Sequence, residues 1–222
     1  MRFHGQLNVD FNELCTNLVP FPALNLVASS MAPFPSRRSR ATRHGGAPSP
    51  EELFIAACSP KNALVSIPRS VAATARSVAV GFLARGSDFP VSTLESNIQR
   101  SVGMRAAKGY GSASFWAPRS SSAAIKLVDW NLDGVKSGLT AAPCAYAPRA
   151  VTVLNNTTGM AAPLSRLRND FQTLYRMKAH LHHYTDILSG DAIVGAGAMD
   201  TALESLCATI DAYEGAASLG QA

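Results

Sequence analysis

The spacing of apolar residues changes near residue 155, and this change constrains the fold more than any other feature of the chain. Before that point, short apolar runs such as 150–154 are separated by helix and turn signals. After it, apolar residues recur at steps of three and four, as on one face of an amphipathic helix. One stripe begins at Leu164 and a second follows residues 195–197. The sequence therefore predicts an α/β layer followed by a pair of helices.

Local signals place the elements of the α/β layer. A helix is predicted over residues 9–18, a second begins at Ser49 and a third at Ser92. Each of the two serines is followed three residues later by a glutamate, Glu52 or Glu95, which is the spacing of a capping box. Apolar runs predict strands over residues 24–29, 71–83, 125–130 and 150–154, and a turn over 131–134.

The segment 14–36 contains no charged residue, which is long enough to raise the question of a membrane helix. Its prolines argue against one, because each removes a backbone hydrogen-bond donor that lipid cannot replace. They are Pro20, Pro22, Pro33 and Pro35. Buried strand and loop are the expected structure, and no membrane partner is predicted.

Charge is distributed unevenly around the net value of +5. Residues 186–222 carry six acidic side chains and no Lys or Arg. Basic residues cluster instead at Arg37, Arg38, Arg40 and Arg43. They lie in one of two predicted flexible insertions, near residues 37–48 and 103–122, which are rich in Gly, Ser, Ala and Pro. A basic loop suits an acidic protein surface or nucleic acid. We favour the simpler interpretation of arginine-bearing loops without a specific partner, because no aromatic-interleaved binding motif accompanies the arginines.

Metal and disulfide chemistry have little support in the sequence. The four cysteines are widely spaced, at Cys15, Cys58, Cys144 and Cys207. Such spacing favours free thiols over a disulfide framework or a zinc module. Three histidines stand close together at His180, His182 and His183, but on a helix His182 points away from the other two. No carboxylate at a metal-ligand spacing joins them, so no metal site is predicted.

Asp10 and Glu13 are three residues apart at the start of the first predicted helix, and so share one face. Taken alone, they are acids favoured by the helix dipole. The sequence around these two acids is more informative. Residues 2–14 (RFHGQLNVDFNEL) and 16–22 (TNLVPFP) resemble the loop and helix that follow the long core helix of the tubulin family. Further matches follow in the family's order: Met31 to Pro33, Val128 to Trp130, Gly134, Lys136, Asn156 to Thr158, and residues 171–184.

The resemblance covers essentially the whole chain outside the two insertions, and residues 178–184 (KAHLHHY) are similar to the epsilon class. It implies an α/β (α+β) fold. A two-layer sandwich intermediate domain of the tubulin type would span residues 1–156, and a C-terminal helical hairpin would span 157–222. The family's nucleotide-binding half, with its Gly-rich phosphate loop, would precede Arg2. We therefore expect the C-terminal half of a longer protein.

The resemblance also implies a function. The parent would be a GTP-binding cytoskeletal subunit of cytoplasmic microtubules, centrioles or basal bodies, with other tubulin subunits as partners. GTP and Mg²⁺ would belong to the full-length protein. This chain alone is expected to bind neither and to have no activity of its own.

Site residues follow from the same resemblance. Glu13, with Asp10, would act in trans on the GTP of a neighbouring subunit, and Asn8 would contact that nucleotide. Leu7 and the four arginines between 37 and 43 would lie at subunit interfaces. Three alternatives remain open: a non-enzymatic protein-interaction module, a nucleic-acid binder that uses the basic loop, and a nonfunctional fragment.

Overall fold

The computed structural model describes residues 5, 7–34, 48–86, 89–102, 125–179 and 192–218. The helices in these ranges are α1 (Phe11–Leu18), α2 (Pro50–Ala57), α3 (Arg69–Thr74), α4 (Val91–Val102), α5 (Ala161–Arg176) and α6 (Ala192–Ser218). The strands are β1 (Ala28–Ala32), β2 (Ser77–Arg85), β3 (Val135–Thr140) and β4 (Ala150–Thr157). Two short 3₁₀ helices, Pro60–Asn62 and Thr158–Met160, complete the described secondary structure.

The four strands form one mixed sheet in the order β1-β4-β2-β3. The central strand β4 is antiparallel to both β1 and β2, whereas β2 and β3 are parallel. A parallel pair needs a crossover connection, and α4 lies between β2 and β3 in the chain. This arrangement brings residues from the beginning and the end of the α/β layer onto adjacent strands.

Helices α2 and α4 cover one face of the sheet. The core between them contains Phe54 and Leu94 from the helices and Phe82 and Val153 from the strands, all nearly inaccessible to solvent. The rings of Phe54 and Phe82 lie 5.8 Å apart between centroids. The predicted capping box at the start of α2 is confirmed: Glu52 N donates to Ser49 Oγ at 3.3 Å, and Ser49 N donates to Glu52 Oε2 at 3.0 Å.

Helix α1 lies on the opposite face. Leu14 and Leu18 are its buried residues, and they pack against Ala79 of β2 and Leu154 of β4. Helices α5 and α6 contact each other and form the helical end of the molecule. Tyr213 of α6 is fully buried in a cluster that joins α6 to the sheet. The predicted α/β fold with a helical hairpin at its end is confirmed.

Several predicted boundaries were wrong. The segment 71–83 divides into α3 and β2, because the Ala-rich run that follows Val71 favours helix over strand. A strand was expected over residues 125–130, but the structure has only one isolated bridge there, between Leu127 and Ser77. The first strand was predicted four residues too early. Leu24 and Leu26 are apolar, but Leu24 N donates to Phe21 O, Leu24 O accepts from the Asn156 side chain, and Leu26 N donates to the Tyr213 hydroxyl, so neither pairs with a neighbouring strand.

Two further differences concern α4 and β3. Helix α4 begins at Val91, so Ser92 lies inside it and cannot be the N-cap of a box with Glu95. Strand β3 escaped prediction because Lys136, Ser137 and Gly138 interrupt its apolar pattern. Helix α5 also buries less of its apolar stripe than expected, since Leu167 and Leu174 are about half exposed.

Other predictions fall outside the described residues. They are the four arginines between 37 and 43, His180, His182 and His183, and nearly all of the two insertions. All four cysteines lie within the described ranges and are free. No described helix has the length and apolar character that a membrane crossing requires.

Candidate functional site

The N-terminus of α1 presents two carboxylates held in a reciprocal capping box. Asp10 is the N-cap, in extended conformation, and its Oδ1 accepts a hydrogen bond of 2.7 Å from Phe11 N. Asp10 N in turn donates to Glu13 Oε2 at 3.4 Å. The predicted dipole-favoured acids therefore have specific partners, and both carboxyl groups are fixed at the start of the helix. The helix itself begins at Phe11, two residues later than predicted.

Lys136 of β3 joins this pair from a distant part of the sequence. Its Nζ donates to Glu13 Oε1 and forms an ion pair with that carboxylate. The lysine side chain is 26% exposed and the glutamate side chain 42% exposed. We refer to Asp10, Glu13 and Lys136 as the acidic cluster.

The ammonium group of Lys136 stabilises the charged form of Glu13. The hydrogen bond from Lys136 is the main cause that lowers the pKa of Glu13 below its ordinary value, and the bond from Asp10 N lowers it further. Glu13 is therefore a carboxylate at neutral pH. Each of its oxygens has one protein donor and retains a second lone pair that can accept from water.

The loop before α1 is fastened to the edge of the sheet. Leu7 N donates to Leu139 O at 3.3 Å, and Leu139 N donates to Leu7 O at 3.0 Å. Asn8 Oδ1 accepts from Gly5 N at 2.9 Å, which closes the loop locally. Gly138 allows the close approach, because a Cβ there would lie 2.9 Å from Val9 Cγ2. These contacts hold the start of α1 against β3, next to Lys136.

Apolar side chains are exposed after the C-terminal end of α1 and in the turn that leads into β3. Phe21 follows α1 and stacks obliquely on Trp130, with 5.6 Å between ring centroids. Leu132, in the turn that leads into β3, is 59% exposed. We refer to Phe21, Trp130 and Leu132 as the contact patch. A group of exposed apolar side chains is typical of a protein-binding surface.

The structure brings together four of the predicted site residues: Glu13, Asp10, Asn8 and Leu7. Lys136 was not predicted as a site residue, although it belonged to one of the matched motifs. It is 123 residues from Glu13 in the sequence, so only the β2–β3 crossover makes them neighbours. Within the described ranges, no group of three His, Cys, Asp or Glu side chains could hold a metal ion.

Comparisons with known proteins agree with this arrangement of elements. No protein-family model matches the chain. Among curated proteins it is similar to the Tubulin epsilon chain of Mus musculus, with 30% identity over 195 residues. It is 28% identical to the Tubulin epsilon chain of Homo sapiens over 221 residues, and 33% identical to the Tubulin alpha-1B chain of Schizophyllum commune over 222 residues. These alignments cover 84%, 96% and 96% of this chain.

The fold and its relatives define the class of protein: a mixed α/β sheet domain with a helical end, of the kind found in the tubulin C-terminal region. The chain belongs to the tubulin family, as predicted from residues 2–22 and the motifs that follow. It spans 34%, 38% and 43% of the lengths of the three relatives named above. The predicted similarity to the epsilon class is confirmed by the first two of them.

Proposed function

We propose that this chain contributes a subunit-contact surface to a tubulin-like cytoskeletal protein, and that Glu13 acts across that surface on the GTP of a neighbouring subunit. One observation carries the proposal: the carboxylates of Asp10 and Glu13 are held in place, yet exposed, at the start of α1. Carboxylate oxygens only accept hydrogen bonds, so these two side chains cannot themselves cradle a phosphate. They can hold a water molecule that faces one.

In this proposal Glu13 positions the attacking water molecule and accepts a proton from it. The oxygen of the held water bonds to the γ-phosphorus while the bond between that phosphorus and the leaving oxygen breaks. The carboxylate accepts the proton that the water loses. Lys136 holds the Glu13 carboxylate in position through the ion pair, and the capping box with Asp10 fixes Glu13 at the start of the helix. GTP is therefore a substrate carried by the partner.

The proposed partners are other tubulin subunits, and the proposed location is the cytoplasmic cytoskeleton. Similarity to epsilon tubulins supports a role at centrioles or basal bodies. GTP binding would then belong to the nucleotide-bearing part of a full tubulin. A purely structural role of the same surface is the competing proposal, and it differs only in leaving hydrolysis unchanged.

Association is tested by mixing the chain with GTP-loaded tubulin dimers and measuring complex formation by analytical ultracentrifugation. We expect Leu132→Glu to weaken the complex by tenfold or more, at about 1.4 kcal/mol per tenfold, because it places a charge in the contact patch. Leu167→Glu is the matched control, because Leu167 of α5 is similarly exposed, at 56% against 59%. Equal effects of the two substitutions, or no complex at all, would contradict the proposed surface.

A further inference from the structure

A cavity of about 200 Å³ opens on the face of the sheet that carries α2 and α4. Val153, Asn155 and Thr157 line it from alternate positions of β4. The intervening residues, Leu154 and Asn156, face α1 instead. The walls come from the loop after α2, from α3 and from residues 125 and 126. A cavity of roughly 150 Å³ can hold benzene, so this one has room for a small organic molecule.

The lining of this cavity combines hydroxyl groups with one positive charge. Lys126 is its charged residue, and no Asp or Glu is among the described residues that line it. Lys126 is exposed and forms no ion pair with a described carboxylate. The hydroxyl-bearing residues of the lining are Ser29, Ser30, Ser59, Ser66, Ser77 and Thr157. Such a lining favours a negatively charged ligand over a neutral or positive one.

The hydroxyl of Ser77 is the buried donor that the protein leaves unused. Ser30 Oγ already donates to Ala57 O at 2.7 Å, and Thr157 Oγ1 donates to Arg76 O at 3.3 Å. Ser77 is only 3% exposed, and its hydroxyl bonds to no described residue. Its oxygen is nevertheless not among the unpaired side-chain atoms that the described structure closes off, so it is open to the cavity. Ser77 can therefore donate to a molecule bound there.

An irregularity in β2 places Ser77 on the cavity face of the sheet. The register with β4 shifts between Ser77 and Ala79, so that Ala79 packs under α1 while Ser77 shares the face of Val80. Ser77 pairs with Thr157, which makes Asn155 its diagonal neighbour at about 7–8 Å. The amide of Asn155 has its Oδ1 closed off inside the protein, which leaves Nδ2 as the group that can reach the cavity. Two donors on neighbouring strands thus serve one space.

We propose that this cavity binds the phosphate group of a small phosphorylated organic molecule. The anionic phosphate oxygens would accept hydrogen bonds from Ser77 and Asn155 on the floor and pair with Lys126 on the wall. Donors on two sides of the space suit a tetrahedral group better than a planar carboxylate. Apolar lining residues such as Ile67 and Val153 would cover the carbon skeleton. The cavity shares no residue with the acidic cluster, so this proposal is independent of the proposed function.

The test compares glycerol 3-phosphate with glycerol, which has the same carbon skeleton but no phosphate group. Dissociation constants are measured by NMR titration of the full chain at constant ionic strength, from the amide signals of the residues that line the cavity. We expect millimolar or tighter binding of glycerol 3-phosphate and at least about tenfold weaker binding of glycerol, because only the first is charged. Equal affinity for the two ligands would make this a site for neutral polyols or water and would overturn the proposal.

Two substitutions locate the bound phosphate. Lys126→Met should weaken the binding of glycerol 3-phosphate by about tenfold or more, because it removes the positive charge of the site. Lys61→Met is the matched control, because Lys61 is an exposed lysine of the nearby 3₁₀ helix that does not line the cavity. Ser77→Ala removes one oxygen atom and no charge, and should weaken binding by about threefold or more. Equal effects of the two lysine substitutions, an unchanged affinity in Ser77→Ala, or no binding by the wild-type chain would each overturn the proposal.

Discussion

The two ends of α1 carry polar clusters of opposite character. At its C-terminal end, Asn156 Nδ2 donates to Leu18 O at 2.8 Å and to Leu24 O at 2.6 Å. The hydroxyl of Tyr213 lies 3.2 Å from both Asn156 Oδ1 and Leu26 O, and accepts from Leu26 N at 2.8 Å. We call Asn156, Tyr213 and these backbone groups the buried cluster. At the N-terminal end stands the exposed acidic cluster.

The difference lies in what each cluster connects. The buried cluster joins three segments that are far apart in the sequence, namely the end of α1 with the loop after it, strand β4, and α6. Its side-chain polar atoms are paired in a place that water does not reach, so loss of any member leaves others unsatisfied. The acidic cluster connects only α1 and β3, and water can replace a lost partner there. We infer that the buried cluster maintains the fold and that the acidic cluster is free for function.

The largest effect is expected from Asn156→Ala. This change leaves the carbonyl groups of Leu18 and Leu24 and the hydroxyl of Tyr213 without their partner in a buried site. We expect the free energy of unfolding to fall by about 2–4 kcal/mol, measured by urea denaturation. Asn169→Ala, on the exposed side of α5, is the control and should change little. Similar losses from the two substitutions would remove the distinction between buried and exposed clusters.

Tyr213→Phe should have an intermediate effect. The ring and its packing remain, but Leu26 N and Asn156 Oδ1 lose the hydroxyl. We expect a loss of about 1–2 kcal/mol in the same denaturation experiment. Tyr175→Phe is the matched control, because the hydroxyl of Tyr175 bonds to Asp200 at the surface. An effect of Tyr175→Phe as large as that of Tyr213→Phe would contradict the role given to the buried cluster.

The Tyr213→Phe substitution should also change how the stability of the chain depends on pH. Burial raises the pKa of Tyr213 above its ordinary value, so the folded state keeps the proton longer than the unfolded state does. The associated stability is complete below the unfolded pKa of about 10 and is lost as the pH rises above it. We therefore expect the stability of the wild-type chain to fall more steeply in this alkaline range than that of Tyr213→Phe.

The smallest effect is expected from Lys136→Met, which breaks the ion pair of the acidic cluster. The pKa of Glu13 should rise toward its ordinary value, because the hydrogen bond from the lysine is the main cause of its lowering. Carboxyl titration by NMR measures this directly, with Glu95 of α4 as the reference. Because the folded pKa lies below the unfolded one, any stability from the pair is present near neutral pH and lost in acid. An unchanged Glu13 titration would show that the ion pair does not form in solution.

Local patterns predicted part of this structure well. The capping box at Ser49 and the three-residue spacing of Asp10 and Glu13 depend on neighbours in the sequence, and such signals can be found without a structure. Both capping boxes are present in the structure, although only the box at Ser49 was predicted as a capping box. That these acids lie at a subunit surface is a prediction from the family resemblance, which no local pattern could make.

The remaining features depend on long-range pairing. The parallel crossover into β3 brings Lys136 close to Glu13. Strand β3 was not predicted, because its polar residues interrupt the apolar pattern of a strand. Asn156 lies in the run 155–158 (NNTT), whose composition is that of a loop, yet it is fully buried at the end of β4. Its hydrogen-bond partners lie in residues 18–26 and at Tyr213. The residues next to Asn156 in the sequence give no sign of these partners. Buried polar networks of this kind are the least accessible to prediction from local sequence.

The role proposed for Glu13 is tested most directly by the rate of phosphate release from GTP-loaded tubulin dimers saturated with this chain, in the wild type and in Glu13→Gln. We predict that the stimulated rate falls by about a hundredfold, on the scale of a lost general base, while association is retained. The urea midpoint of the variant should stay close to that of the control Glu95→Gln. If the wild-type chain stimulates no release, or if Glu13→Gln leaves the rate unchanged and lowers the urea midpoint, then Glu13 is a structural helix-end charge and does not act on GTP.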